Sequence, residues 1–157
     1  MAAGEQALAK ARTINDAQVE AACLHGLGLT LKQLNRPQEA FARFQESWEI
    51  KEKIGDRAGL ADTLGAMGQL FQNVGDLDSA LKCLHQATEI VRELGAPIKM
   101  AIALEDYGRI FESQGHFSEA LEKYQESLRL KKQYGSPQGI AIVENHIARV
   151  KGKMKSQ

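Results

Sequence analysis

The tripeptide Cys-Leu-His occurs twice, at Cys23-Leu24-His25 and Cys83-Leu84-His85, and thiol with imidazole is a donor pair that zinc favours. Each tripeptide falls in a stretch with helical periodicity, where residues two apart point about 200° away from each other. Neither pair can therefore share one ion. His116 lies in a turn-like stretch and His146 on a helical face, where solvation or capping accounts for them. Gly26 and Gly28 sit inside a helical pattern, not between a strand and a helix, so they form no phosphate loop. Serines, histidines and acids are scattered without a motif that marks a nucleophile. The expectation is a chain with no catalytic residues, no metal site and no cofactor.

The elements that carry these residues recur. Gly55, Gly95 and Gly135 are evenly spaced, and the same step takes Ala61 to Ala101 and Ala141, Gly68 to Gly108, Phe71 to Phe111, Gly75 to Gly115 and Ala80 to Ala120. Stepping backwards gives Ala21, Gly28, Asn35 and Ala40. The step is about 40 residues, and a period of that order with one helical hairpin per unit signals a solenoid. The 157 residues then divide as a half repeat over 1–14, repeats over 15–54, 55–94 and 95–134, and a capping helix over 135–157. Residues 1–14 match a second helix, with Ala7 one period before Ser47. This favours a piece of a longer array over a chain that starts on a lone capping helix.

Each hairpin carries its own punctuation. Asp16, Asp56 and Asp76 can cap helix starts by accepting from first-turn amides. Gly55 and Gly75 supply the positive φ that ends a helix, and Asn35 tolerates the same conformation before Pro37 opens the next helix. One stripe in the second full repeat is Leu60, Leu64, Met67 and Phe71, and the other runs from Leu77 through Ala80, Leu81, Leu84 and Ala87 to Val91. In the first, Ala40, Phe41, Phe44, Ser47 and Trp48 are expected to be buried. Gly68 and Ala80 mark a close helix approach, where a bulky side chain would push the hairpin apart. Ser136 and Pro137 open a last helix that carries Ile140, Ile147 and Val150 and turns basic at Lys151, Lys153 and Lys155.

Whole-chain numbers fit a soluble protein. The formal net charge is zero, with 43% hydrophobic and 25% charged residues, so no overall field recruits nucleic acid or an anionic membrane. Apolar runs fall far short of the ~20 residues that span a bilayer. The first residues lack the apolar core of a secretory signal. Two cysteines are too few for a disulfide framework, which points to a reducing cytoplasm.

The run Leu64-Gly65-Ala66-Met67-Gly68-Gln69-Leu70-Phe71, followed by Gly75-Asp76-Leu77, Ala80, Leu84 and Ala87, resembles the tetratricopeptide repeat over nearly the whole chain. Leu24, Leu64 and Leu104 stand where that family often has tryptophan, and its closing proline is absent. This longer-period variant is similar to the repeats of the LGN/Pins polarity adaptors, rapsyn, kinesin light chain and many bacterial arrays. The resemblance implies an all-α, right-handed superhelical solenoid of antiparallel helix pairs. Its first helices would line a concave groove for an extended peptide or a partner's helix. Groove residues, taken off the buried stripe of each first helix, are His25, Leu29, Lys32 and Gln33; Asp62, Gln69, Gln72 and Asn73; Glu105, Asp106, Arg109 and Glu112; and Asn145, His146, Arg149 and Lys153. The lysines of a chaperone-tail clamp are missing at the matching positions, and Glu105 would repel a terminal carboxylate. Mixed charges favour a guest bearing both signs. The expected function is a non-catalytic scaffold or adaptor for a protein or peptide ligand, with no nucleic-acid or membrane partner. A self-associating structural module, or the sensor arm of a larger regulatory protein, is the alternative.

Overall fold

A computed structural model describes residues 2–156, and eight helices account for nearly all of them. They are α1 (Ala2–Thr13), α2 (Ala17–Gln33), α3 (Pro37–Ile54), α4 (Arg57–Val74), α5 (Leu77–Glu93), α6 (Pro97–Ser113), α7 (Phe117–Tyr134) and α8 (Pro137–Lys155). No strand occurs among the described residues. The chain packs as two compact units, Met1–Ala87 and Thr88–Gln157, and the division falls within α5.

The turns obey a rule tighter than the hairpin repeat. A left-handed residue recurs every half period, at Asn15, Asn35, Gly55, Gly75, Gly95 and Gly115, with φ between 53° and 83°. At each of these turns the amide of the next residue returns to a carbonyl five positions back. Examples are Asp16 to Ala11 at 3.1 Å, Asp56 to Lys51 at 2.9 Å and His116 to Phe111 at 2.9 Å. These bonds satisfy carbonyls that a helix end leaves unpaired. Gly135 breaks the series with φ −100° and ψ −172°, an extended conformation. Four helix starts are closed by side chains as expected. Asp16 accepts from the Val19 amide at 3.0 Å, Asp56 from Gly59 at 2.8 Å, Asp76 from Ser79 at 3.1 Å and Ser136 from Gly139 at 3.2 Å.

In the first unit, Leu31, Ala40, Phe44, Ala66 and Leu70 form one core cluster, and Leu8, Leu24 and Leu27 form another against α1. In the second, Ala120, Tyr124, Val143 and Val150 form the core with Phe111, Phe117 and Ile147 against it. The buried seam of α3 is Ala40, Phe44, Ser47 and Lys51. Phe41 and Trp48, expected inside, each stand one residue beyond a seam position and are only half-buried. Phe41 instead rests its ring on Phe71, with centroids 5.6 Å apart.

Two glycines make room for rings. A Cβ on Gly28 would lie 2.5 Å from the Phe44 ring, and one on Gly108 would lie 2.5 Å from the Tyr124 ring. Gly68, which sequence marks as a close approach, is looser: its nearest neighbour would be the Ala80 carbonyl at 3.4 Å. The reason is the facing residue, Leu84, where the equivalent positions hold Phe44 and Tyr124. A leucine does not reach as far across the helix pair as an aromatic ring.

Candidate binding wall

The polar faces of the first helices differ between the two units. In the first unit, Lys32 on α2 donates to Gln69 Oε1 on α4 at 2.9 Å. Deeper in, Thr63 donates its hydroxyl proton to the Gly59 carbonyl at 3.0 Å and accepts from Lys51 Nζ at 2.9 Å. His25 Nδ1 lies 3.2 Å from the same hydroxyl. Because that hydroxyl proton is already committed to Gly59, the His25 Nδ1–H must be the donor. Burial holds His25 near a pKa of about 4, and the Lys51 ammonium adds to the depression while Asp62 opposes it. The ring stays neutral against Phe44, at a centroid distance of 5.6 Å. Asp62 and Asn73 are exposed and Gln72 is half-buried.

The second unit carries a denser network. Glu112 receives two bonds from Arg149, at 2.8 and 2.7 Å, one from Lys153 at 2.9 Å and one from the Tyr124 hydroxyl at 3.1 Å. Four donors on one carboxylate favour its charged form. Arg149 contributes most, and the Glu112 pKa falls to about 2. Burial, followed by the Glu112 charge, pushes the Tyr124 phenol well above its usual value. Glu105 pairs with Lys131 at 2.5 Å and accepts from the Ser127 hydroxyl at 3.1 Å. His146 lies between these groups, its ring 5.0 Å from Tyr124 and its Nδ1 4.0 Å from Glu105. That nitrogen has no hydrogen-bond partner among the described residues. Burial lowers the His146 pKa, and Arg149 adds to the effect. Asp106 forms an ion pair with Arg109.

These positions correct part of the sequence reading. Glu105, Asp106 and Glu112 were expected off the buried stripe, yet they are 5%, 6% and 8% exposed. Partners on α7 and α8 cover the two glutamates, and a single helix's periodicity cannot show those partners. Asn145, Arg149 and Lys153 are exposed, while His25, Lys32, Gln69 and Arg109 are half-buried. Sequence reasoning also missed Lys51 and Lys131, both buried. Their signal was present, since the two lysines stand two periods apart and face Gly59 and Gly139, which are separated by the same step. They donate to those carbonyls at 3.3 and 3.4 Å. The basic tail is tied inward at Lys153, which also sits 5.9 Å above the Phe117 ring. Cys23 and Cys83 are free thiols, and burial raises the Cys83 pKa. Among the described residues, no group of three His, Cys, Asp or Glu could hold a metal ion. No described helix is long and apolar enough to cross a membrane.

Comparison with known proteins gives the fold and the family. No curated protein sequence matches the chain. A Signal Transduction ATPase with Numerous Domains (STAND) protein with a tetratricopeptide repeat sensor, from Pyrococcus horikoshii, is similar in structure, with a TM-score of 0.81 at 24% identity. That match covers 94% of this chain and 23% of the other, so the chain spans under a quarter of that protein's length. BtubC (BKLC) from P. vanneervenii matches with a TM-score of 0.72 at 14% identity, covering 98% of this chain and 72% of that one. A putative kinesin light chain with nearly identical TPR-like repeats, from Podosopora anserina, matches with a TM-score of 0.68 at 16% identity, covering 81% and 63%. The fold is thus an all-α solenoid of antiparallel helix pairs. Proteins built from such repeats generally mediate protein–protein interaction and are typically non-catalytic. Family models described as tetratricopeptide repeat match residues 21–54 and 59–133, and the chain belongs to the tetratricopeptide-repeat family.

Proposed function

We propose that this chain is a non-catalytic scaffold that holds an extended peptide or a partner's helix along the polar faces of its first helices. The observation that carries this reading is the pairing of side chains between first helices within each unit, Lys32 with Gln69 and Arg149 with Glu112. Within each unit such a pair joins two first helices into a preorganised surface, which reduces the ordering cost of binding. Exposed Asp62 and Asn73 with half-buried His25 and Gln72 offer contacts in the first unit, and exposed Asn145 with half-buried Arg109 in the second. Glu105, Asp106 and Glu112 act beneath that surface, by setting the positions of the cations around them.

A displayed library of short random peptides selected on the chain tests this. Enriched peptides should lose most of their binding to an Arg109→Glu variant that retains its helical circular dichroism. Equal binding to both proteins would remove the wall as the site. The Pyrococcus neighbour, whose sensor is made of such repeats, favours a second reading, the sensor arm of a larger regulatory protein. In that case the peptide bound here would alter the activity of the parent chain.

A further inference from the structure

The second unit holds a crevice of about 610 Å³ that shares no residue with the polar wall. It lies between the C-terminal turns of α5 and α7, over the first turn of α6. Val91, Pro97, Met100 and Leu130 line it, together with Tyr134. Tyr134 is a large side chain left 53% exposed. Arg92 and Arg129 complete the lining. Its volume falls in the range of pockets that bind ligands, but its apolar surface alone says nothing about the occupant.

The charges do. Arg129 is exposed and has no ion-pair partner among the described residues. Arg92 is exposed and paired with Glu89 on its own helix, at 2.5 Å, a surface pair that holds it weakly. One period earlier the same two positions carry Glu52 and Glu89, so the sign of the pair is reversed. Val91 adds to the apolar character, because Lys51 and Lys131 occupy its register one period either side. The first turn of α6 also faces the crevice through Ala96 and Pro97 and has no side-chain cap, which leaves the positive end of that helix toward any guest.

We infer that this crevice is a second docking site, for a peptide segment that places an apolar side chain next to a carboxylate. The apolar group would lie against Val91, Met100 and Leu130, and the carboxylate would meet the Arg129 and Arg92 guanidiniums.

The test is a heteronuclear NMR titration of the full chain with acetyl-Asp-Phe-Asp-Leu-amide and, separately, with acetyl-Lys-Phe-Lys-Leu-amide. The acidic peptide should give saturable shifts centred on Val91, Met100, Leu130 and Tyr134, with a dissociation constant near or below about 1 mM. Arg129→Glu should weaken it about tenfold or more, and Arg129→Lys should keep most of the binding. Equal binding of the basic peptide, shifts confined to α6 and α8 residues of the polar wall, or no saturation would each overturn the inference. Because the map separates crevice from wall, failure here leaves the scaffold reading standing.

Discussion

The two units place different chemistry at the same register. Lys32 and Gln69 in the first correspond, two periods on, to Glu112 and Arg149 in the second, and His25 corresponds to Glu105. Lys51 and Lys131 keep their place, yet one binds the Thr63 hydroxyl at 2.9 Å and the other the Glu105 carboxylate at 2.5 Å. The same seam position thus meets a neutral hydroxyl in one unit and a carboxylate in the other. The second unit instead stakes its packing on charge pairs taken out of water. A buried pair contributes little net stability but costs a great deal when one partner is lost. The first unit should tolerate polar substitutions that the second does not.

The sharpest way to break this comparison is to remove the shared lysine from each unit. Lys131→Met leaves the covered Glu105 carboxyl without its cation and should lower unfolding free energy by about 3–4 kcal/mol. Lys51→Met removes a cation that bonds the neutral oxygens of Thr63 and Gly59, and should cost about 1–2 kcal/mol. Urea titrations of both variants measure the difference, and equal losses would mean the two networks are energetically alike. Glu112→Ala should follow at about 2–3 kcal/mol, tempered because Arg149 and Lys153 are half-exposed and can return to water. Its counterpart, Lys32→Ala, should cost about 1 kcal/mol or less.

Glycines sharpen the same contrast at a smaller scale. Gly28→Ala and Gly108→Ala force a methyl group to 2.5 Å from an aromatic ring and should each destabilise by about 1–3 kcal/mol. At Gly68 the methyl group finds ordinary contact, so the gain in helix propensity, up to about 1 kcal/mol, should leave Gly68→Ala neutral or more stable. Thermal melts of the three variants check this. A loss at Gly68 as large as that at Gly108 would show that helix approach, not ring size, sets these positions.

How far the chain could be read without coordinates follows from the same residues. The hairpins, their caps and the turn at Asn35 were legible because each depends on a few neighbours in sequence and recurs at a fixed interval. The fate of Glu105 and Glu112 was not. Helical periodicity gives the direction of a side chain from its own axis, and both point away from the stripe that α6 shows in isolation. Glu105 is covered by Ser127 and Lys131 on the next helix, and Glu112 by Arg149 and Lys153 on the helix after that. Phe41 and Trp48 fail for a related reason, since an aromatic residue next to a seam looks like part of it until the partner helix is placed.

The remaining contrast is read in acid. Unfolded histidine titrates near 6.5 and folded His25 near 4, so between those values the unfolded chain binds more protons. The contribution of neutral His25 is complete above pH 6.5 and is lost as pH falls toward 4. Glu112 shifts from 4.5 to about 2, so its contribution is complete above 4.5 and is lost between 4.5 and 2. His146 in the second unit is shifted in the same direction as His25, so bulk stability alone would mix the two. The histidine ring resonances followed by NMR keep them apart. Lys51→Met should move the His25 midpoint upward from about 4, because it removes a cation that disfavours the charged ring, and should leave His146 where it was. A His25 midpoint unmoved by that substitution would mean that burial, with Lys32, keeps the ring neutral and the Lys51–Thr63–His25 relay is not an electrostatic unit. An upward shift would show that the Lys51 charge, held against Thr63 beside the ring, helps to keep His25 neutral.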